Sequence, residues 1–401
     1  MKVAAVCTHP IQYYTPWFKG LAARVDLKVF YALLPDRQQQ SVGFGGAFEW
    51  DIPLLEGYDW ELLPNARRKP TLRGFLNSST PSIKSALERF QPDAAIITGW
   101  QSLPLIQATI ACIRLGIPRV VRGESNALRQ RPLPVRLMHR ALLNRFDAML
   151  AIGKMNRTFY LGYGISPERM FGCPYFVDND RFQQQIIKDK AQSQDFRSSW
   201  RIPESSTCFL FAGKLEPKKR IMDLMRAMEA AGKKCQPFHL LVAGTGEQMD
   251  EARAFAEAAK LPVTFAGFLN QTEITRAYAA ADCLVLPSDY GETWGLVVNE
   301  AMACGLPAIV SDRVGCGPDL VEDRVTGAVF PFGDVEALAR WVVQFASNRS
   351  QLEQMGAAAR ERVKAYSVEA AVDGTLKSLE YAVGTRQRPS AGAVPSPSQS
   401  R

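Results

Sequence analysis

Two carboxylates, Glu292 and Glu300, stand with seven residues between them, and the stretch around them could bind a phosphorylated ligand. Residues 283–286 form an apolar run that reads as a buried parallel strand. Gly305 then stops a helix, and residues 307–310 read as the next strand. A helix opening between Trp294 and Val297 leaves the N–H groups of Gly295, Leu296 and Val297 without intrahelical acceptors, with the positive end of its dipole behind them. That suits a phosphate. Glu300 lies about one turn into the helix, where its two oxygens could hold the vicinal hydroxyls of a ribose, and Glu292 faces the other side of the phosphate. In isolation the pair reads more readily as a solvated loop residue and an exposed helix residue.

The run from Gly291 to Gly305, with its two spaced glutamates, resembles the double-glutamate motif of retaining glycosyltransferases of family 4. The resemblance implies an α/β fold of the GT-B kind, two Rossmann-like domains facing across a cleft. It implies that Glu292 approaches the donor sugar and Glu300 holds the ribose, while Thr293, Trp294 and the backbone of Gly295, Leu296 and Val297 lie along the diphosphate. Further on in the same resemblance, Gly213 ends a strand, Lys214 stands where the family has an arginine, and Lys219 matches its lysine. Fixed cations stabilise the charge gathering on a departing diphosphate without a metal. Lysine at 214 keeps the charge and gives up bidentate geometry. Phe268 and Leu269 fall in the turn that borders the nucleobase. Glu124 falls where many relatives carry a histidine, and it is a candidate catalytic group beside Arg122, with which it could equally form a structural ion pair. Asp178 resembles the aspartate of the interdomain linker, so the Asp-x-Asp run Asp178 to Asp180 is read as coincidence.

These residues need parallel strands to position them. Residues 2–7 read as a first strand running into His9, Pro10, Gln12 and Tyr13, and the first strand-to-helix loop of a Rossmann unit faces the ligand crevice. In the resembling family this loop meets the acceptor and the donor phosphates, and the resemblance implies that His9, Gln12 and Tyr13 are acceptor-binding candidates. Residues 43–50, rich in Gly and aromatics, read as a long acceptor-recognition loop. Arg67, Arg68, Lys69 and Arg73 form a basic patch, by default solvated. Residues 147–153 read as the last strand of the first half. Arg129, Arg131, Arg136, Arg140 and Arg145 punctuate a basic amphipathic helix that could lie on an anionic membrane or present a solvated domain face.

The 401-residue chain has room for two domains, and its 47% hydrophobic and 22% charged content is that of a globular protein. We expect an acceptor domain at 1–175, a donor domain at 176–367, a crossover helix at 368–383 and a disordered tail at 384–401. No apolar run is long enough to span a membrane and the chain enters a strand at once, so a cytoplasmic location is expected, with membrane association on that face. Eight scattered cysteines read as small buried residues, and three histidines make a zinc site improbable; no metal or cofactor is expected. A net charge of +8 favours an anionic partner, with no nucleic-acid signature to accompany it.

The resulting expectation is a metal-independent hexosyltransferase. It would move a sugar from a nucleotide diphospho-sugar, UDP-sugar favoured, to a carbohydrate or lipid-linked acceptor in polysaccharide or glycolipid biosynthesis. A GT-B sugar-nucleotide epimerase and a noncatalytic nucleotide-sugar-binding subunit are the alternatives.

Overall fold

The computed structural model describes residues 1–41, 46, 48–72, 74–234 and 237–387. Half of the expected 43–50 loop, along with Arg73 and Cys235, lies outside these residues. Two parallel sheets organise the chain. The first contains β1 (Lys2–Cys7), β2 (Asp26–Tyr31), β3 (Asp59–Leu62), β4 (Ala94–Ile97), β5 (Arg119–Val121), β6 (Ala148–Ala151) and β7 (Met170–Gly172), in the order β3-β2-β1-β4-β5-β6-β7. The second contains β8 (Thr207–Ala212), β9 (Phe238–Ala243), β10 (Val263–Gly267), β11 (Cys283–Leu286), β12 (Ala308–Ser311) and β13 (Gly327–Phe330), in the order β10-β9-β8-β11-β12-β13.

Alternation along the central strands explains why both sheets are covered on both faces. Val3, Ala5 and Cys7 enter one apolar cluster while Ala4 and Val6 enter another. Likewise Cys208, Leu210 and Ala212 pack on one side of the second sheet, and Phe209 and Phe211 on the other. Side chains of successive strand residues point to opposite faces, so a parallel strand between two helix layers needs an unbroken apolar run. Strand order reverses between β1 and β4 and again between β8 and β11, where connections leave in opposite directions and a crevice opens beyond the carboxyl ends. The loops after β1, β8 and β11 carry most of the candidate residues.

Residues 147–153 do not hold the last strand of the first half: β7 follows, paired with β6 from Met149↔Met170 to Ala151↔Gly172. It is a three-residue edge strand, too short to show an apolar run. The polar stretch around residues 187–206 is largely helical, in Asn179–Lys190 and Ser193–Ser199, with Asp178 capping the first by accepting from the Arg181 N–H at 3.0 Å. The final helix runs Val368–Gln387, so the boundary expected at 383 falls four residues early. Alternating small and apolar residues continue the helical face to Ala382, and the Pro-rich segment begins only beyond it. This helix joins the first sheet's core through Ala371, Val372, Leu379 and Ala382, and Trp17 Nε1 donates to Thr375 Oγ1 at 3.2 Å. The seven described cysteines are all buried and free. No helix among the described residues is long and apolar enough to cross a membrane.

Candidate functional site

The loop after β11 turns into the helix Leu296–Ala303 at Gly295, whose φ of 102° lies in the left-handed region. A Cβ there would approach Leu286 Cδ2 to 2.9 Å, and the left-handed backbone itself strains any other residue. The helix start therefore sits tight against the strand end; the Val298 N–H already bonds the Gly295 carbonyl at 2.9 Å, which leaves the N–H groups of Leu296 and Val297 as the helix's own orphan donors. Gly244, at φ 144°, plays a comparable part: a Cβ there would overlap the Gly213 carbonyl, so the exits of β8 and β9 pack backbone against backbone.

These elements enclose a cavity of about 290 Å³. Of the candidate donor residues, Gly213, Lys214, Lys219, Phe268, Leu269, Val297 and Glu300 line it, and Gln12 and Tyr13 enter from the first sheet. Glu292 reaches it indirectly. Its Oε2 takes the Lys219 ammonium and the Ser288 hydroxyl, the latter at 3.4 Å, and both members of the Lys219–Glu292 pair are mostly buried. A diphosphate entering the cavity would compete with Glu292 for Lys219.

Glu300 is 2% exposed. Tyr13 donates to its Oε1 at 3.1 Å and Tyr278 to its Oε2 at 2.7 Å. Burial raises its pKa above the usual carboxylate range, opposed by these hydroxyls and by the nearby Arg181. Tyr13 was expected to meet the acceptor; here it bridges the two halves of the chain at the candidate ribose ligand. Tyr278, Arg181 and Gln271 carry no motif of their own, and only the neighbourhood of Glu300 reveals them. Arg181 donates to the Gln271 carbonyl and to its Oε1 at 2.9 and 2.7 Å.

Trp294, Thr293 and Leu296 do not line the cavity. Trp294 is buried, donating from Nε1 to Asn299 Oδ1 at 2.8 Å beside Tyr175 and Tyr366, and the Thr293 carbonyl accepts from Asn126 Nδ2 at 3.0 Å. These contacts form a seam between the halves, extended by Asp319, which accepts from the Lys154 N–H at 3.0 Å where the helix Lys154–Gly162 begins. Leu296 packs on the core. Glu124 is also outside the cavity: Tyr14 and Tyr175 donate to its Oε1 at 3.1 and 2.5 Å, with buried Arg122 3.8 Å away and stacked over the Tyr175 ring. That arrangement is an ion pair built into a tyrosine cage.

A second cavity of about 590 Å³ adjoins the first, sharing Gln12, Trp50 and Lys214 and adding His9. Burial pushes the His9 imidazole down to about 4, so it is neutral at physiological pH; its Nδ1 lies 2.9 Å from Thr8 Oγ1. Between the cavities, a segment of the first half docks on the turn after β10. Phe48 meets Phe268 with ring centroids 4.4 Å apart, Asn270 Nδ2 donates to the Glu49 carbonyl at 2.7 Å, and the Thr272 N–H to Asp51 Oδ2 at 3.0 Å.

Residues 192–362 match the family model for glycosyl transferases group 1. The chain is similar to sulfoquinovosyl transferase SQD2 of Arabidopsis thaliana, 27% identical over 308 residues, which are 73% of this chain and 57% of that protein. It is similar to the D-inositol 3-phosphate glycosyltransferase of Segniliparus rotundus, 30% identical over 230 residues, 55% of this chain and 49% of that protein. The chain thus spans about half the length of the curated relatives it matches. Among solved structures, Anabaena HepE in complex with UDP superposes with a TM-score of 0.71 at 16% identity, covering 95% of this chain and 100% of that one. The chain has the GT-B fold, and its second half carries the sequence pattern of group 1 glycosyltransferases.

Proposed function

We propose that the protein is a retaining glycosyltransferase of the family 4 kind, moving a hexose-type sugar from a nucleotide diphospho-sugar to an acceptor hydroxyl. The observation that carries this reading is the convergence of Lys214, Lys219, the Leu296–Ala303 helix start and Glu300 in one cavity beside a second, larger one. In the transfer, the acceptor oxygen bonds to the anomeric carbon as the bond from that carbon to the diphosphate oxygen breaks. The electron pair leaves with the diphosphate, and the acceptor proton passes to a departing phosphate oxygen on the same face. Lys214, Lys219 and the helix N–H groups hold that developing charge, so the step requires no metal. Glu292 orients the sugar and Glu300 the ribose. The UDP carried by the similar HepE structure supports a uridine donor.

A nucleotide panel tests this reading. UDP is expected to raise the thermal midpoint more than GDP or ADP, equally with magnesium and with EDTA. No shift with any of the three would refute the donor site, and nucleotide binding without release of sugar to any acceptor would favour a binding subunit.

The helix Leu133–Leu143 supports peripheral contact with an anionic membrane at the cytoplasmic face, which fits a glycolipid or polysaccharide acceptor. Leu133, Leu137 and Met138 are 64%, 58% and 58% exposed, and Arg129, Arg136, Arg140 and Arg145 are exposed around them. Apolar side chains insert into the interface while arginines meet lipid phosphates, each worth about 1 kcal/mol near the surface. Replacing Arg136 and Arg140 by Ser is therefore expected to lower partition onto phosphatidylglycerol vesicles roughly thirtyfold. Equal sedimentation of the wild type with zwitterionic vesicles would remove the electrostatic account.

A further inference from the structure

The loop leaving β5 reaches across to the run that carries Glu292. Asn126, in that loop, is 3% exposed, and both ends of its side-chain amide are engaged. Its Oδ1 accepts from the Leu128 N–H at 3.1 Å and its Nδ2 donates to the Thr293 carbonyl at 3.0 Å. A backbone N–H only donates and a carbonyl only accepts, so chemistry fixes which way the amide faces. The loop that presents it is itself held. Asn156 Nδ2 donates to the Gly123 and Ser125 carbonyls at 2.9 and 2.6 Å, and Arg131 Nη1 donates to the Asn126 carbonyl at 3.2 Å.

Thr293 stands between Glu292 and the helix start at Gly295. The carbonyls on either side of it are held from within the second half, that of Glu292 by the Gly315 N–H at 3.2 Å and that of Trp294 by the Cys316 N–H at 2.9 Å. The Thr293 carbonyl is held from the first half. A Cβ on Gly315 would come within 1.9 Å of that carbonyl and 3.1 Å of Asn126 Nδ2, so the three segments meet where a side chain has no room. Adhesion between the halves could use any backbone group, as Lys154 Nζ does in donating to the Pro318 carbonyl at 2.8 Å. The Asn126 contact falls instead on the peptide that joins the sugar-orienting carboxylate to the phosphate-facing helix. Small displacements of such groups cost rate steeply.

Building on the proposed transfer reaction, we infer that Asn126 is a positioning residue: it sets the Thr293 peptide, and through it the approach of Glu292 to the donor sugar. It does not line the donor cavity. Because the hydrogen bond crosses between the halves, the loop is set only while they meet, and the first half contributes to donor turnover whatever the acceptor.

The test measures UDP release by the full chain from UDP-glucose, UDP-galactose and UDP-N-acetylglucosamine, with water as the acceptor, alongside UDP affinity from a thermal-shift titration. With the donor turned over fastest, Asn126→Ala is expected to lower kcat about tenfold and to change UDP affinity less than about twofold, since the loop loses a hydrogen bond while the diphosphate seat stays. Lys154→Ala removes a hydrogen bond from the same seam without touching the loop, and should leave kcat within about twofold of the wild type. Asn126→Asp keeps the Leu128 contact but turns an oxygen toward the Thr293 carbonyl. It should be at least as slow as Asn126→Ala at pH 8 and regain turnover, relative to the wild type, toward about pH 5, where a protonated carboxyl again donates. The UDP shift, read on every variant, shows that each is folded. An unchanged kcat in Asn126→Ala, an equal loss in Lys154→Ala, a loss of UDP affinity that matches the loss of kcat, or no recovery of Asn126→Asp in acid would each overturn the inference. Absence of any UDP shift in the wild type would instead sink the donor reading beneath it.

Discussion

Lys219→Met is expected to lower kcat/KM by about a hundredfold to a thousandfold, because it removes a fixed charge from where the leaving diphosphate gathers its own. The variant carries a second consequence. Lys219 and Glu292 pair with side chains only 12% and 14% exposed, so deleting the ammonium strands a mostly buried carboxylate, at a cost of about 3 kcal/mol. A stability loss of that size could by itself account for lost turnover, and the Lys219→Met/Glu292→Gln double variant separates the two effects. With both charges gone, the thermal midpoint should recover toward the wild type while turnover stays low. Turnover that recovers along with the midpoint would mean that the pair is only structural, and the donor assignment of Lys219 would fall.

Glu300→Gln should separate stability from binding in the opposite sense. Ribose hydroxyls donating to a carboxylate lose the charged acceptor, and charge-assisted bonds of this kind are worth about 1.5–3 kcal/mol, so UDP affinity is expected to fall about tenfold to a hundredfold. Folding stability should rise instead. Burial raises the folded-state pKa of Glu300 above its ordinary value, so the folded protein binds this proton more tightly than the unfolded chain. The wild type then loses stability as pH climbs from the ordinary carboxylate value through the raised one, and the neutral amide has no such term. The midpoint of Glu300→Gln should exceed that of the wild type at pH 8, with the gap closing toward pH 4. A gap that widens as pH falls would show a carboxylate stabilised by its tyrosines, contrary to its burial.

Both predictions concern residues named from the sequence, and the reason they were legible is local. The apolar run 283–286, a glycine before a helix and a glycine after it fix strand, loop and helix within about twenty residues, since periodicity and helix termini are short-range signals. Repeating that pattern yields parallel sheets and places the loops after β1, β8 and β11 at the crevice. Signals weaken where strands are short edges. Asp59–Leu62 is half-exposed with no apolar run and Met170–Gly172 has three residues, so neither announces itself. The last helix runs past 383 on exposed residues that carry no apolar pattern, its final turn tied to the first sheet by Arg386, whose Nε donates to Asp147 Oδ1 at 3.1 Å.

What the chain alone determined is therefore the order of its elements and which loops carry cations, carboxylates and glycines. Tertiary structure decided which of those groups meet. Tyr13 and Glu300 are 287 positions apart, yet they share a hydrogen bond, and no local pattern encodes a pairing across that separation. Trp294 stands inside the motif but belongs to the seam, because burial against Tyr175 and Tyr366 outweighs its position in the chain. Periodicity is a property of neighbours along the chain; a binding site is a property of neighbours in space.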